Sequence, residues 1–121
     1  MAPRRVLLID DEDDIREVAQ LCLEMVGNWQ VLTASSGAEG IERAAKHQPD
    51  AIVLDVMMPE MDGAATFKGL LANPATQHIP VVLLTASPTD RDGLDKLKVI
   101  RKPFDPMRLP GQIASALGWA A

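Results

Sequence analysis

The sequence predicts an α/β fold, a doubly wound (βα)5 parallel sheet with helices on both faces, and three observations carry the prediction. Short, partly β-branched apolar runs without polar alternation recur at residues 6–9, 51–54, 81–84 and 99–100, as strands covered on both faces require. Segments of helical period lie between them, and right-handed crossovers then make the strands parallel. The chain has 121 residues, enough for one proper core, so residues 1–121 are expected to form a single domain.

The first strand ends in Asp10 and Asp11. Behind it Ile15, Val18, Ala19, Cys22, Met25 and Val26 recur at helical spacing and mark an expected inward face. Asp14 with Glu17 reads as the capping box of this helix and Gly27 as its stop. Residues 29–33 form a second candidate strand. Ser36 and Glu39 make another capping box, opening a helix with Ile41, Ala44 and Ala45 inward. The third strand, 51–54, runs into Asp55 and a Pro/Gly-punctuated loop through Gly63. The helix that follows carries Phe67, Leu70 and Leu71 inward and stops at Asn73-Pro74. Ile79-Pro80 introduces the fourth strand, which ends in Thr85. Residues 90–98 are only about two turns long and contain Gly93, so a fourth helix there is expected to be short or irregular. The fifth strand precedes Lys102. Asp105-Pro106 suits an N-cap and first helical position, but Pro110 is comfortable only in a first turn. An irregular entry is therefore expected, with a regular helix from near Leu109 burying Ile113, Ala116 and Leu117.

Composition narrows the function. The net charge is −5, and the aromatic residues are Trp29, Phe67, Phe104 and Trp119 alone, so neither a basic stripe nor a stacking platform for nucleic acid exists. No apolar run approaches the ~20 residues of a membrane span. The basic start at Arg4-Arg5 leads into only a short apolar segment, so no membrane partner and no export signal are expected. A lone Cys22 supplies neither a disulfide nor a thiolate metal site, which points to the cytoplasm.

Ligands of parallel sheets bind beyond the carboxyl ends of the strands. Topology therefore brings Asp10, Asp11, Asp55, Thr85 and Lys102 to one edge of the sheet. Three carboxylates there repel one another, and a divalent cation relieves the repulsion. All-oxygen ligands select a hard ion such as Mg2+. Lys102 offers a mobile point charge for an anion, and Thr85 a hydroxyl for a phosphoryl oxygen. The set suits in-line phosphoryl transfer, where catalysis is mostly positioning and charge neutralisation. With no Ser or Cys nucleophile beside a base, a carboxylate is the natural acceptor, and Asp55 on the central strand is best placed.

Each of these residues has a plainer reading alone. Asp10 and Asp11 are as consistent with helix caps as with ligands, and Asp13 and Asp14 read as caps. Thr85 could be a strand-end hydroxyl and Lys102 a surface lysine. Met57, Met58 and Met61 read as packing or contact surface, Cys22 as core, and His47 and His78 as solvent-facing residues that donate no phosphoryl group. Only the constellation promotes the first group to chemistry.

Four segments, Leu8-Ile9-Asp10-Asp11-Glu12, the stretch from Leu54-Asp55 to Asp62-Gly63, Leu84-Thr85-Ala86 and Lys102-Pro103-Phe104, resemble the signature segments of response-regulator receiver domains of two-component signalling. They occur in the right order across nearly the whole chain. The resemblance implies a flavodoxin-like sheet of order 2-1-3-4-5. It implies that Asp55 accepts a phosphoryl group from a histidine kinase or histidine phosphotransfer protein, in a domain that catalyses only its own phosphorylation and dephosphorylation. It implies Mg2+ held by Asp11, Asp55 and the backbone carbonyl of Met57, with Asp10 helping directly or through water. Thr85 would shift onto the phosphoryl group, Lys102 would pair with it, and the Lys102-Pro103 peptide would be cis. Output would pass to a downstream protein by contact, without an effector domain.

Two departures from the family pattern stand out. The stretch from Thr85 to Lys102 is shorter than usual by roughly a helical turn or more. Val99 stands where many receivers carry Tyr or Phe. Activation is therefore expected not to be reported by aromatic rotation, and the chain to be a monomer rather than a dimer built on a full fourth helix. Two rivals are a receiver-like binding module that never sees phosphate and a small aspartyl-phosphate phosphatase, although the chain has no room for a substrate-enclosing cap.

Overall fold

The computed structural model describes residues 4–55, 63–85, 98–101 and 104–119. In chain order these form β1 (Arg5–Ile9), α1 (Asp13–Met25), β2 (Gln30–Ala34), α2 (Gly37–His47), β3 (Ala51–Asp55), α3 (Gly63–Ala72), β4 (Val81–Thr85), β5 (Lys98–Arg101) and α4 (Leu109–Leu117). All neighbouring strands run parallel in the order β2-β1-β3-β4-β5. This is the expected doubly wound order. The short helix expected at 90–98 lies outside the described residues apart from Lys98, which instead opens β5.

The absence of polar alternation in the strands now has its cause. Leu7, Ile9, Ile52, Leu54 and Leu83 pack with Ala44 of α2 and Leu70 of α3 on one face of the sheet. Val6, Leu8, Val53, Val82 and Leu84 pack with Ala19 and Leu23 of α1 and Leu109 and Ile113 of α4 on the other. Every residue of β3 is buried. Both pleat faces are core, so both must be apolar.

Helix α1 departs from its expected face and cap. Its N-cap is Glu12, whose side chain makes no capping hydrogen bond, so Asp14 lies inside the first turn. Ala19 and Leu23 are its buried residues, whereas Val18, Met25 and Val26 are exposed. Gly27 is needed for space, because a Cβ there would stand 2.7 Å from the Leu23 carbonyl oxygen. The left-handed residue is Asn28, at φ 63°. Helix α2 follows expectation: Ser36 Oγ accepts from the Glu39 N–H at 3.2 Å, and Glu39 Oε1 accepts from the Ser35 N–H at 2.7 Å. In α3, Leu70 is buried and Phe67 half-buried against the core, but Leu71 is exposed.

The irregular entry to α4 is also present. Asp105 Oδ1 accepts from the Met107 N–H, its carbonyl accepts from Arg108 and Leu109, and the regular helix begins at Leu109. Trp119, just beyond α4, stacks edge-on against Trp29 with ring centroids 5.3 Å apart. The Arg4 guanidinium lies 4.2 Å from the Trp119 ring centroid, tying the entry of β1 to the exit of α4.

Candidate functional site

Strand register decides which strand-end residues meet. Ile9 pairs with Leu54, so Asp10 and Asp55 follow at the same level of adjacent strands. Asp55 pairs with Leu84, which puts Thr85 one residue further along β4. Thr85 pairs with Arg101, the residue before Lys102. The carboxyl ends of β1, β3, β4 and β5 thus finish within about one residue of each other, as they do at the ligand crevices of parallel sheets.

The loop from β1 to α1 is held at several points. The Asp10 N–H donates to the Ala34 carbonyl at 3.1 Å, extending the ladder to β2. The Glu12 N–H donates to Asp10 Oδ1 at 2.9 Å. From one turn into α1, Arg16 reaches back so that its Nη1 donates to the Asp10 carbonyl at 2.8 Å while its Nη2 pairs with Asp13 Oδ1.

The outcome is a cluster of four acids. One carboxylate oxygen from each of Asp10, Asp11, Glu12 and Asp55 lies within 4.8 Å of the others. Asp10 is 0% exposed and Asp55 2% exposed. Burying carboxylates this close together is costly unless hydrogen bonds or a cation offset the charge. Among the described residues, Asp11 Oδ1 is buried and finds no hydrogen-bond donor. Asp55 Oδ2 is a second such oxygen, although the residue itself takes part in other interactions. Buried, outward-reaching hard oxygens are the donor set that suits Mg2+.

Asp10, Asp11 and Asp55 are therefore together, as expected. Glu12 joins them as an unexpected fourth acid, its position in the acidic run Asp10-Asp11-Glu12 being the one signal for it in the sequence. Thr85 closes β4, but its side chain lies outside the described residues. Met57, Lys102 and the Lys102-Pro103 peptide also lie outside them. His78 is exposed; His47 is half-buried, its carbonyl accepting from the Arg5 guanidinium at 2.9 Å. Among the described residues no helix is long and apolar enough to cross a membrane.

Comparison with known proteins agrees with this architecture. A family model described as the response regulator receiver domain matches residues 6–114. The response regulator PleD of Caulobacter vibrioides is 38% identical over 118 residues, covering 92% of this chain and 25% of PleD. The chain spans about half the length, or less, of the curated relatives it matches. The chemotaxis protein CheY4 of Vibrio cholerae superposes with a TM-score of 0.82 at 27% identity, covering 95% of this chain and 99% of that one. The receiver domain of the sensor histidine kinase PA1611 of Pseudomonas aeruginosa, solved with a magnesium ion coordinated in its active-site cleft, has the same fold (TM-score 0.81, 22% identity, 97% and 99% covered). By sequence, strand order and the acids gathered at the sheet edge, this chain belongs to the response-regulator receiver family of two-component signalling, whose members are signalling modules rather than classical enzymes.

Proposed function

We propose that this receiver takes a phosphoryl group onto Asp55 from the phosphohistidine of a histidine kinase or phosphotransfer protein, and signals by protein–protein contact. The observation that carries the proposal is Asp55 itself. It is a buried carboxylate at the end of the central strand, level with Asp10 and clustered with Asp10, Asp11 and Glu12. In the transfer, an Asp55 oxygen forms the new P–O bond as the P–N bond to the donor imidazole breaks.

Asp10, Asp11 and Asp55 would hold Mg2+, together with the backbone carbonyl of Met57, and the proximity of Glu12 adds a fourth carboxylate to the site. The ion, when bound, neutralises charge on the carboxylates and on the incoming phosphoryl oxygens. Thr85 and Lys102 would answer the new charge, the first by its hydroxyl and the second as a mobile cation. The magnesium ion in the Pseudomonas receiver's cleft supports this assignment by fold analogy. Cytoplasmic location, the cognate kinase and the downstream protein belong to the same proposal.

Incubation with acetyl phosphate and Mg2+, followed by intact mass, tests it. The wild type should gain the mass of one phosphoryl group, labile to hydroxylamine, and Asp55→Asn should gain none. Uptake by Asp55→Asn at the wild-type level would reject the assignment. Turnover of small phosphate esters would favour a phosphatase instead, and no response to beryllofluoride with Mg2+ a phosphate-independent binding module.

A further inference from the structure

We infer that Arg16 is a positioning residue for the Mg2+ site, acting through the Asp10–Asp11 peptide; the inference rests on the metal site proposed above. Helix rotation makes Arg16 conspicuous. It lies on the same stripe of α1 as the buried Ala19 and Leu23, and its side chain is only 18% exposed. A guanidinium turned toward the sheet needs hydrogen-bond acceptors. Among the described residues it has two, the Asp10 carbonyl at 2.8 Å and Asp13 Oδ1.

The first acceptor is the informative one. The Asp10 carbonyl shares a rigid plane with the Asp11 N–H, so a hydrogen bond to that oxygen sets the orientation of the whole peptide. That orientation in turn sets where the Asp11 side chain leaves the backbone. The Asp10 carboxylate is steadied separately by the Glu12 N–H, and the Arg16 N–H closes the first turn onto the Glu12 carbonyl at 2.9 Å. Arg16 therefore links the helix to the peptide between the two acids, while Asp11 Oδ1 is buried with no donor among the described residues.

Charge and position predict opposite signs here. A cation beside a Mg2+ site repels the ion, so a guanidinium acting only through charge weakens binding, and its removal should tighten it. A guanidinium acting through position strengthens binding, and its removal should weaken it despite the extra negative charge. Outer-shell partners of metal ligands that position them are worth about tenfold or more in metal affinity.

The test is Mg2+ affinity by calorimetry for wild type, Arg16→Met, Arg16→Lys and Asp11→Asn, with metal-free melting of each. Arg16→Met should weaken Mg2+ binding about tenfold. Arg16→Lys should recover part of the loss, because one ammonium can reach the Asp10 carbonyl but cannot span to Asp13 as well. Tighter binding by Arg16→Met with Arg16→Lys unchanged would reduce Arg16 to a charge and overturn the inference. Unchanged affinity, whatever the fall in metal-free melting temperature, would reduce it to a structural residue and overturn it equally. If Arg16→Met does not fold, Arg16→Lys decides: affinity equal to wild type rejects the positioning role. Absence of saturable Mg2+ binding by wild type, or unaltered binding by Asp11→Asn, would instead remove the metal site and this inference with it.

Discussion

At the scale of single residues, the site depends on how closely the end of β1 is packed from below. Gly40 of α2 sits against Ile9, the residue before Asp10, and a Cβ at position 40 would stand 2.3 Å from Ile9 Cδ1 and 2.8 Å from Cγ1. Two effects of Gly40→Ala oppose each other. Helix propensity favours alanine by about 1 kcal/mol, whereas overpacking a filled core costs about 1–3 kcal/mol. With Ile9 wholly buried and two of its atoms too near, overpacking should win. Urea unfolding should find Gly40→Ala less stable by roughly 1–2 kcal/mol, with partial recovery on adding Ile9→Val, which removes the nearest methyl. A stabilised Gly40→Ala would mean that Ile9 moves aside without cost. The two acids just beyond β1 also differ: Asp10 is tied by backbone and side chain, whereas Asp11 keeps a buried oxygen with no donor among the described residues.

At the scale of elements, the two helices on either side of β2 contrast in what holds their first turns. Helix α2 has Ser36 as its side-chain cap, with Glu39 reaching back to the Ser35 N–H, so Ser36→Ala should cost about 1 kcal/mol by chemical denaturation. A change near zero would show that water replaces the hydroxyl at no loss. Helix α1 has no side-chain cap and is oriented instead by Arg16 reaching back to Asp10. This is why its inward face differs from the one that apolar periodicity points to. Ile15, Val18, Ala19, Cys22, Leu23, Met25 and Val26 offer more than one apolar stripe at helical spacing. The stripe that faces the sheet contains Ala19, Leu23 and the charged Arg16, and apolar periodicity alone gives no weight to an inward arginine. Val18 and Met25 were left on the far side, where Met25 is 73% exposed.

At the scale of the whole molecule, the sheet register gathers like charges that local structure would never bring together. The acids come from the end of β1, the loop after it, and the end of β3. Their mutual repulsion weighs against the native state, and a bound cation offsets it while also stabilising by mass action. Mg2+ at a hundred times its dissociation constant should add about 2.7 kcal/mol to unfolding stability, reversed by EDTA. A melting temperature indifferent to Mg2+, or a rise that persists in Asp11→Asn, would contradict the site.

Hydrophobic pattern and chain topology were enough to read the alternation of strands and helices, the two-faced apolar core and the convergence of Asp10, Asp11 and Asp55, and four signature segments were enough to read the family. Period and composition are local signals, whereas the convergence follows from the handed connections of a parallel sheet and the family from its signature segments. Only the tertiary structure decided the rotation of α1, the inclusion of Glu12 among the clustered acids, and the grip of Arg16 on the Asp10 carbonyl. Each of these depends on where a helix settles against the sheet. Packing and long-range hydrogen bonds set that position, and a single chain read residue by residue does not encode it in any periodic signal.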